Sequence, residues 1–361
     1  MTIAMQLVGG GAVTPVGLNR AQTCAGIRAR MARFEDVLRN EPFGASQPVA
    51  RIPAHWSLRR TPIDWLVNLA ARAVREVVNR HALDPAATAL LLIPPESFRS
   101  EAFDDEDLPA SALVTLAARV AAKLGSPFAV TAQTPDGGAG ALATGLDHAL
   151  RLLNDREVTH VLLAAADCYV LDSEFTRLDG ARRLRTPRTA QGLTPGEGAA
   201  CALLAVPGTP FRTTPSPQAH AEPTALLLGW AGAHESRCAT SDDYSQGRAL
   251  VDAMRTAAQH AHTDEAAFSW TLSNANGERY AAWESTLAHA RWYRSRRARL
   301  VTVQPAMSVG EAGAASGPLA LLAAAHRFAN VGRGTSRAMV ELASEAGGRA
   351  ACVVAPLGAP S

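Results

Sequence analysis

Lysine is all but missing from this chain: of 35 basic residues among its 361, only Lys123 is a lysine and the rest are arginine. Chemistry that runs through a lysine amine, such as a Schiff base, therefore has a single candidate. Aromatic residues are scarce at 5%, and charge of neither sign is in excess, the formal net charge being +2 with acids and bases interspersed. Without a basic stripe nothing tracks a phosphate backbone, which excludes nucleic acid as an expected partner. No run approaches the ~18 apolar residues that span a bilayer, and MTIAMQLVGGG has no basic segment followed by a long apolar one. The expectation is a cytoplasmic protein with no membrane partner.

Cysteine is equally sparse. Cys24, Cys168, Cys201, Cys238 and Cys352 are scattered singly with no CxxC, an odd set that fits reduced thiols better than a disulfide framework. Most sit in apolar runs such as GAACALL and AACVV, where cysteine acts as a small buried hydrophobe. Of the ten histidines, His148, His260, His289 and His326 fall on helical patterns. His260 and His262 are close, but no cysteine or carboxylate stands near them at ligand spacing. No metal or other cofactor is expected.

What is present is a 47% hydrophobic content, enough for a sizeable core. Short apolar runs alternate with longer helical patterns, which predicts an α/β protein with helices covering a parallel or mixed sheet. In the first half the strands are expected at Gln6–Val8, Ala89–Ile93, Phe128–Thr131, Val158–Ala164 and Ala199–Ala205. Helices are expected at Arg20–Arg30, Ile63–His81, Ala110–Leu124 and Ala139–Leu153. The Pro-rich stretch PGTPFRTTPSPQAHAEP reads as an exposed connection. It separates an N-terminal half, 1–206, from a C-terminal half, 224–361, with 207–223 between them. The second half reruns a similar order: strands Ala225–Trp230, Phe268–Ser273, Leu300–Thr302, Ser336–Ala343 and Arg349–Ala355, with helices Gly247–His260, Arg279–Trp292 and Ser316–Phe328. That repetition suggests an internal duplication.

Four segments, in order, carry a resemblance. LVGGGAVTPVGLNRAQTCAGIRA, LDGARRLRTPRTAQGLTPGEGAACALLA, SVGEAGAASGPLALLAAA and SEAGGRAACVV resemble the opening strand and loop, the "PGEGAA" core strand, the "GH..GAAG" helix start and the final Gly-Gly turn of the β-ketoacyl-acyl-carrier-protein synthases. The resemblance implies a thiolase-like fold, with duplicated βαβ-rich halves in a five-layered α-β-α-β-α core. It also implies that the turns at Gly9, Gly10 and Gly11, and again at Gly347 and Gly348, meet at a central pocket, where glycine permits positive φ and close backbone approach.

The same resemblance exposes what is missing. Setting Leu142 on the leucine of the family's "CSSSL" pattern puts Gly138 at the nucleophile, where a thiolate should accept the acyl group. Thr134 and Asp136 are the nearest alternatives, with Asp136 expected to cap the following helix. The family's two enolate donors fall on Asn276 and on Glu311, or Gly310 if no gap is allowed, and its supporting lysine has no counterpart. Gln133 lies five positions before Gly138, too early to stand for the glutamine of decarboxylating relatives. The acidic run Asp104–Asp107 and the arginines Arg182, Arg183, Arg185 and Arg188 read as solvated faces.

These losses imply a non-catalytic scaffold or adaptor. The NGER loop and GAASGP segment resemble degenerate synthase-like proteins encoded beside type VI secretion spike genes, which implies a helper in loading a secretion effector. The alternatives are a chain-length-factor-like partner of an active synthase and an acyl-chain-binding protein. A homodimer is expected through strand Phe128–Thr131, the family's usual two-fold edge.

Overall fold

The structure, a computed structural model, describes residues 5–38, 46–53, 61–104, 112–210, 224–241, 243–297, 299–330 and 337–357. The first half contributes β1 (Met5–Val13), α1 (Arg20–Arg28), a ribbon of β2 (Glu35–Leu38) and β3 (Ser46–Val49), α2 (Pro62–Arg80), β4 (Thr88–Ile93), α3 (Leu116–Leu124), β5 (Val130–Gln133), α4 (Leu142–Asn154), β6 (His160–Cys168), α5 (Asp172–Gly180) and β7 (Glu197–Ala205). The second contributes β8 (Ala225–His234), α6 (Arg248–His260), β9 (Phe268–Ser273), α7 (Arg279–Trp292), β10 (Val301–Val303), α8 (Ala306–Val309), α9 (Ser316–Asn330), β11 (Arg337–Ala343) and β12 (Gly348–Pro356).

Ten strands form one sheet in the order β10-β9-β11-β12-β8-β1-β7-β6-β4-β5. Read outward from the β1/β8 join, both halves repeat the same pairings: two antiparallel, then two parallel. Strands β4, β6 and β7 are buried on both faces, which is why they read as unbroken apolar runs and not as alternation. The amphipathic helix α2 starts on the Thr61 side chain with Pro62 in its first turn, and packs on the outer face of β1, β7 and β6. Helix α6 does the same for β8, β12 and β11. Between the halves lie α4 and α9, each touching strands of both; α9 is apolar nearly all round because it is covered nearly all round. The layers are α, β, α, β, α, the thiolase-like architecture that the sequence implied.

Three expectations are corrected. Gly9, Gly10 and Gly11 are not a turn: they lie inside β1, and none has positive φ. A Cβ at Gly10 would fall 2.3 Å from a methyl of Leu322 on α9, and one at Gly11 would fall 2.1 Å from the Ala73 carbonyl on α2. The glycines let helices close on both faces of the strand. Gly347 does turn at φ +102°, whereas Gly348 begins β12 with no positive φ. The edge strand is Val130–Gln133, not Phe128–Thr131, because Phe128 packs into the core beside α3 and the Ala129 N–H bonds to Pro85 and Thr88 carbonyls outside the ladder. Residues 211–223 of the Pro-rich connection, and Asp105–Asp107 of the acidic run, lie outside the described residues.

Candidate functional site

Gly138 follows β5 and opens the tight turn that leads into α4. Its N–H donates to the Pro94 carbonyl at 2.9 Å, and its φ of +79° with ψ of −178° is a conformation that residues with a Cβ rarely adopt. A Cβ here would lie 2.6 Å from both Glu96 Cγ and Ser344 Oγ. Both neighbours are held in place. Ser344 Oγ accepts the Gly140 N–H at 2.7 Å, and the Glu96 carboxylate accepts the N–H groups of Glu345 and Ala346 at 3.0 and 2.7 Å.

The residues around Gly138 are occupied too. Thr134 donates to the Asp136 carbonyl, and Gln133 bonds Leu113 and Ala117 at the start of α3. Asp136 does not cap the helix as expected: the turn begins at Gly138, and the carboxylate takes the Thr144 hydroxyl at 3.4 Å instead.

Asn276 and Glu311 meet directly. The Asn276 amide donates to Glu311 Oε2 at 2.6 Å while the Gly313 N–H donates to Oε1 at 2.8 Å. Gly310, at φ +71°, is not the facing residue; a Cβ there would press on Ala50 and Gly196 at 2.9 Å. Main-chain bonds from Gly196 to the Glu311 carbonyl and from Glu311 to the Thr194 carbonyl tie this loop to the start of β7. Burial raises the Glu311 carboxyl to about 7, against the pull of Asn276 and Gly313. Glu311, Asn276, Glu96 and Ser344 line one cleft with a free volume of ≈ 50 Å³, space for a few water molecules. None of the five cysteines borders it. Burial pushes the Cys24 thiol up to about 12 and those of Cys201 and Cys352 upward as well, which makes them poor nucleophiles.

Behind the cleft is an ionic network that the sequence reading missed. Arg183, read from sequence as part of a solvated face, is buried and holds Glu278 on one side and Glu345 on the other. Arg177 bridges Glu345 and Glu174, and Arg99 bridges Glu174 and Asp167. Tyr169 donates to Glu345 at 2.7 Å. Burial works against the Glu345 carboxylate, but Arg183, Arg177 and Arg99 bring it down to about 2. Glu96, with burial and the Glu345 charge acting together, rises to about 7.

These shifts fix a pH dependence. Between the ordinary value of 4.5 and the folded value near 7, Glu311 and Glu96 hold protons that an unfolded chain has released, so stability falls as pH rises through that window. Glu345 acts oppositely, its contribution being complete above 4.5 and lost as pH falls toward 2. His289, raised by Glu341 against its own burial, adds stability below 6.5 that is lost as pH rises through its folded value. Relative to the wild type, Glu311→Gln is expected to gain about 2–3 kcal/mol in urea unfolding between pH 5 and pH 8, on top of a pH-independent loss from the donor its amide cannot accept. Parallel pH profiles for the two proteins would contradict a carboxyl held neutral by burial.

The sequence as such matches no known family description and no curated protein. Its fold, however, matches solved structures along nearly the whole chain. The ishigamide ketosynthase/chain length factor superposes with a TM-score of 0.65 at 22% identity, covering 98% of this chain and 100% of that one. A ketosynthase captured with its acyl-carrier protein, AntDE:AntF, gives 0.74 at 13%, covering 99% and 100%. A β-ketoacyl synthase from Burkholderia phymatum STM815 gives 0.70 at 14%, covering 99% and 100%. The fold is that of the ketosynthases.

Proposed function

We propose that this chain is a non-condensing ketosynthase-fold subunit that acts through a protein partner and not by acyl transfer. The observation that carries the proposal is Gly138: where the resemblance places the nucleophile there is no side chain, and Glu96 and Ser344 fill the space one would need. Two further features support it. The narrow cleft at Asn276 and Glu311 has only ≈ 50 Å³ free, a larger open groove of ≈ 580 Å³ lying across Glu96 and Ser344 on the side of residues 137–140, and Glu311, although able to carry a proton near neutrality, has both oxygens engaged by Asn276 and Gly313.

The test is purified protein with radiolabelled malonyl and acyl thioesters, followed by intact mass. No turnover and no adduct are expected. An adduct on one of the five cysteines, lost on mutating that cysteine, would restore the enzymatic reading.

Strand β5 supports the choice of a pairing surface. Among the described residues it ends the sheet, with β4 as its one neighbour, and its four residues are half-buried or exposed. A chain-length-factor-like role is favoured within this reading by the likeness to the ishigamide assembly. The NGER and GAASGP segments both serve the closed cleft, through Asn276, Glu278 and Gly313, so their likeness to secretion-associated proteins is no guide to a client. Light scattering at micromolar concentration is expected to give a dimer, and Thr131→Glu on the exposed edge a monomer. A monomeric wild type would overturn the homodimer.

A further inference from the structure

A further cavity lies between α1, β9, β10 and α9, sharing no lining residue with the cleft, and about 20 Å³ of it is free. Its polar lining is Arg28, Trp270, His326 and Arg327, with the Cys24 thiol, and among the described residues no carboxylate borders it. Three of these side chains carry buried nitrogens with no acceptor among the described residues: Trp270 Nε1, His326 Nε2 and Arg327 Nε. Trp270 is only 3% exposed, and its ring is fixed between Phe328, edge-on at 5.1 Å, and the Arg327 guanidinium, 5.0 Å from the ring centroid. Buried donors without partners are rare in folded proteins and ask for an acceptor.

The surroundings agree on its charge. Burial, then Arg28 and Arg20 on the α1 side, hold the His326 imidazole below its usual range; burial, then Arg30, lowers Arg327. Glu76 of α2 is felt at Cys24, whose thiol stays protonated. We propose that this cavity is an oxyanion site, taking the carboxylate or phosphate end of a ligand whose remainder lies outside. Its free volume admits about one water-sized group, so one oxygen of the anion enters and the rest of the headgroup stays at the mouth beside Arg28. The indole N–H, the imidazole and the guanidinium supply donors of the kind that recognise such oxygens, and Arg28 stands exposed beside them. An anion would favour the imidazolium of His326, so binding takes up a proton and strengthens as pH falls.

The experiment is a titration of the full chain with inorganic phosphate in one arm and acetate in the other, at ionic strength held constant with chloride. The readouts are calorimetry and the indole ¹H–¹⁵N resonances, with Trp270 assigned through Trp270→Phe. At least one anion is expected to bind and to move the Trp270 resonance ahead of the other tryptophans. The tighter arm identifies the source. Arg327→Gln is expected to weaken binding about tenfold or more, and His326→Gln to flatten its pH dependence. Neither anion moving the Trp270 resonance would overturn the proposal and leave water as the acceptor, whatever the variants do. Wild-type affinity in a folded Arg327→Gln would overturn it equally.

Discussion

Replacing Arg99 with methionine is expected to destabilise the protein by about 3–5 kcal/mol, since a buried carboxylate pair then loses its cation. Arg99 is 2% exposed, donates to Asp167 and Glu174 at 2.8 Å each and to the Cys168 carbonyl at 2.9 Å, and lies over the Tyr169 ring at 3.7 Å. Methionine keeps most of the stem but none of the donors. Glu174 would retain Arg177, whereas Asp167 would keep only the N–H groups of Cys168 and Ala314. Because Ala314 belongs to the loop that positions Glu311, the damage spreads from the first half into the second. Urea unfolding measures the loss. Arg255→Met, which breaks an exposed pair with Asp252, should cost under about 1 kcal/mol in the same assay. Asp167→Asn in the Arg99→Met background should recover part of the loss by removing the stranded charge. A loss below about 1 kcal/mol for Arg99→Met would mean that the network is ornamental.

Gly138→Cys is expected to give a less stable protein that still forms no carbon–carbon bond. Positive φ alone costs about 1–3 kcal/mol for a residue with a Cβ. The added atom must also displace Glu96 or Ser344, each of which satisfies buried N–H groups, at about 1–3 kcal/mol for a bond broken. Gly125 is a control that carries neither burden in full: it caps α3 in the left-handed helical region at φ +67°, ψ +20°, which costs a residue with a Cβ less than the ψ of −178° at Gly138, and nothing lies within 4 Å of its Cβ position. Gly125→Ala should therefore show the backbone cost near 1 kcal/mol, and Gly138→Ala at least twice that. Equal losses at the two positions would refute the packing argument. Incubated with malonyl and acyl thioesters, Gly138→Cys should yield at most an acyl adduct by mass spectrometry. Condensation by this variant would show that Asn276 and Glu311 suffice as enolate donors.

Much of this was legible before the fold was seen, and the reasons differ by element. Strands such as Ala199–Ala205 and helices such as Gly247–His260 fall within two residues of where their residues indicate, because burial on two faces or one leaves an apolar run or a helical period. The ribbon β2–β3 was missed since EDVL and SQPV are largely exposed and alternate too little to announce pairing. Gly9–Gly11 misled because a glycine that admits a neighbouring helix is written with the same letter as one that turns the chain. Asn276 and Glu311, placed through separate motif resemblances, meet in the structure, and Gly138 lies against Glu96 and Ser344, which line the same cleft. The ionic network could not be read in this way: Arg99, Asp167, Glu174, Arg183 and Glu345 lie in separate stretches, and local charge patterning sees only a solvated arginine run at Arg182–Arg188.

Strand β1 sits at the middle of the ten-stranded order although it is made first. Gln6 faces Ala205 on one side and Leu226 on the other. As the chain leaves the ribosome, its opening apolar strand must therefore wait for most of the first half, and then for the beginning of the second, before either flank is covered. Such distant pairings are slow to close and leave a sticky segment uncovered meanwhile. A nascent chain stalled ahead of β7 is expected to leave Met5–Val13 without either of its strand partners, open to pairing with any passing strand.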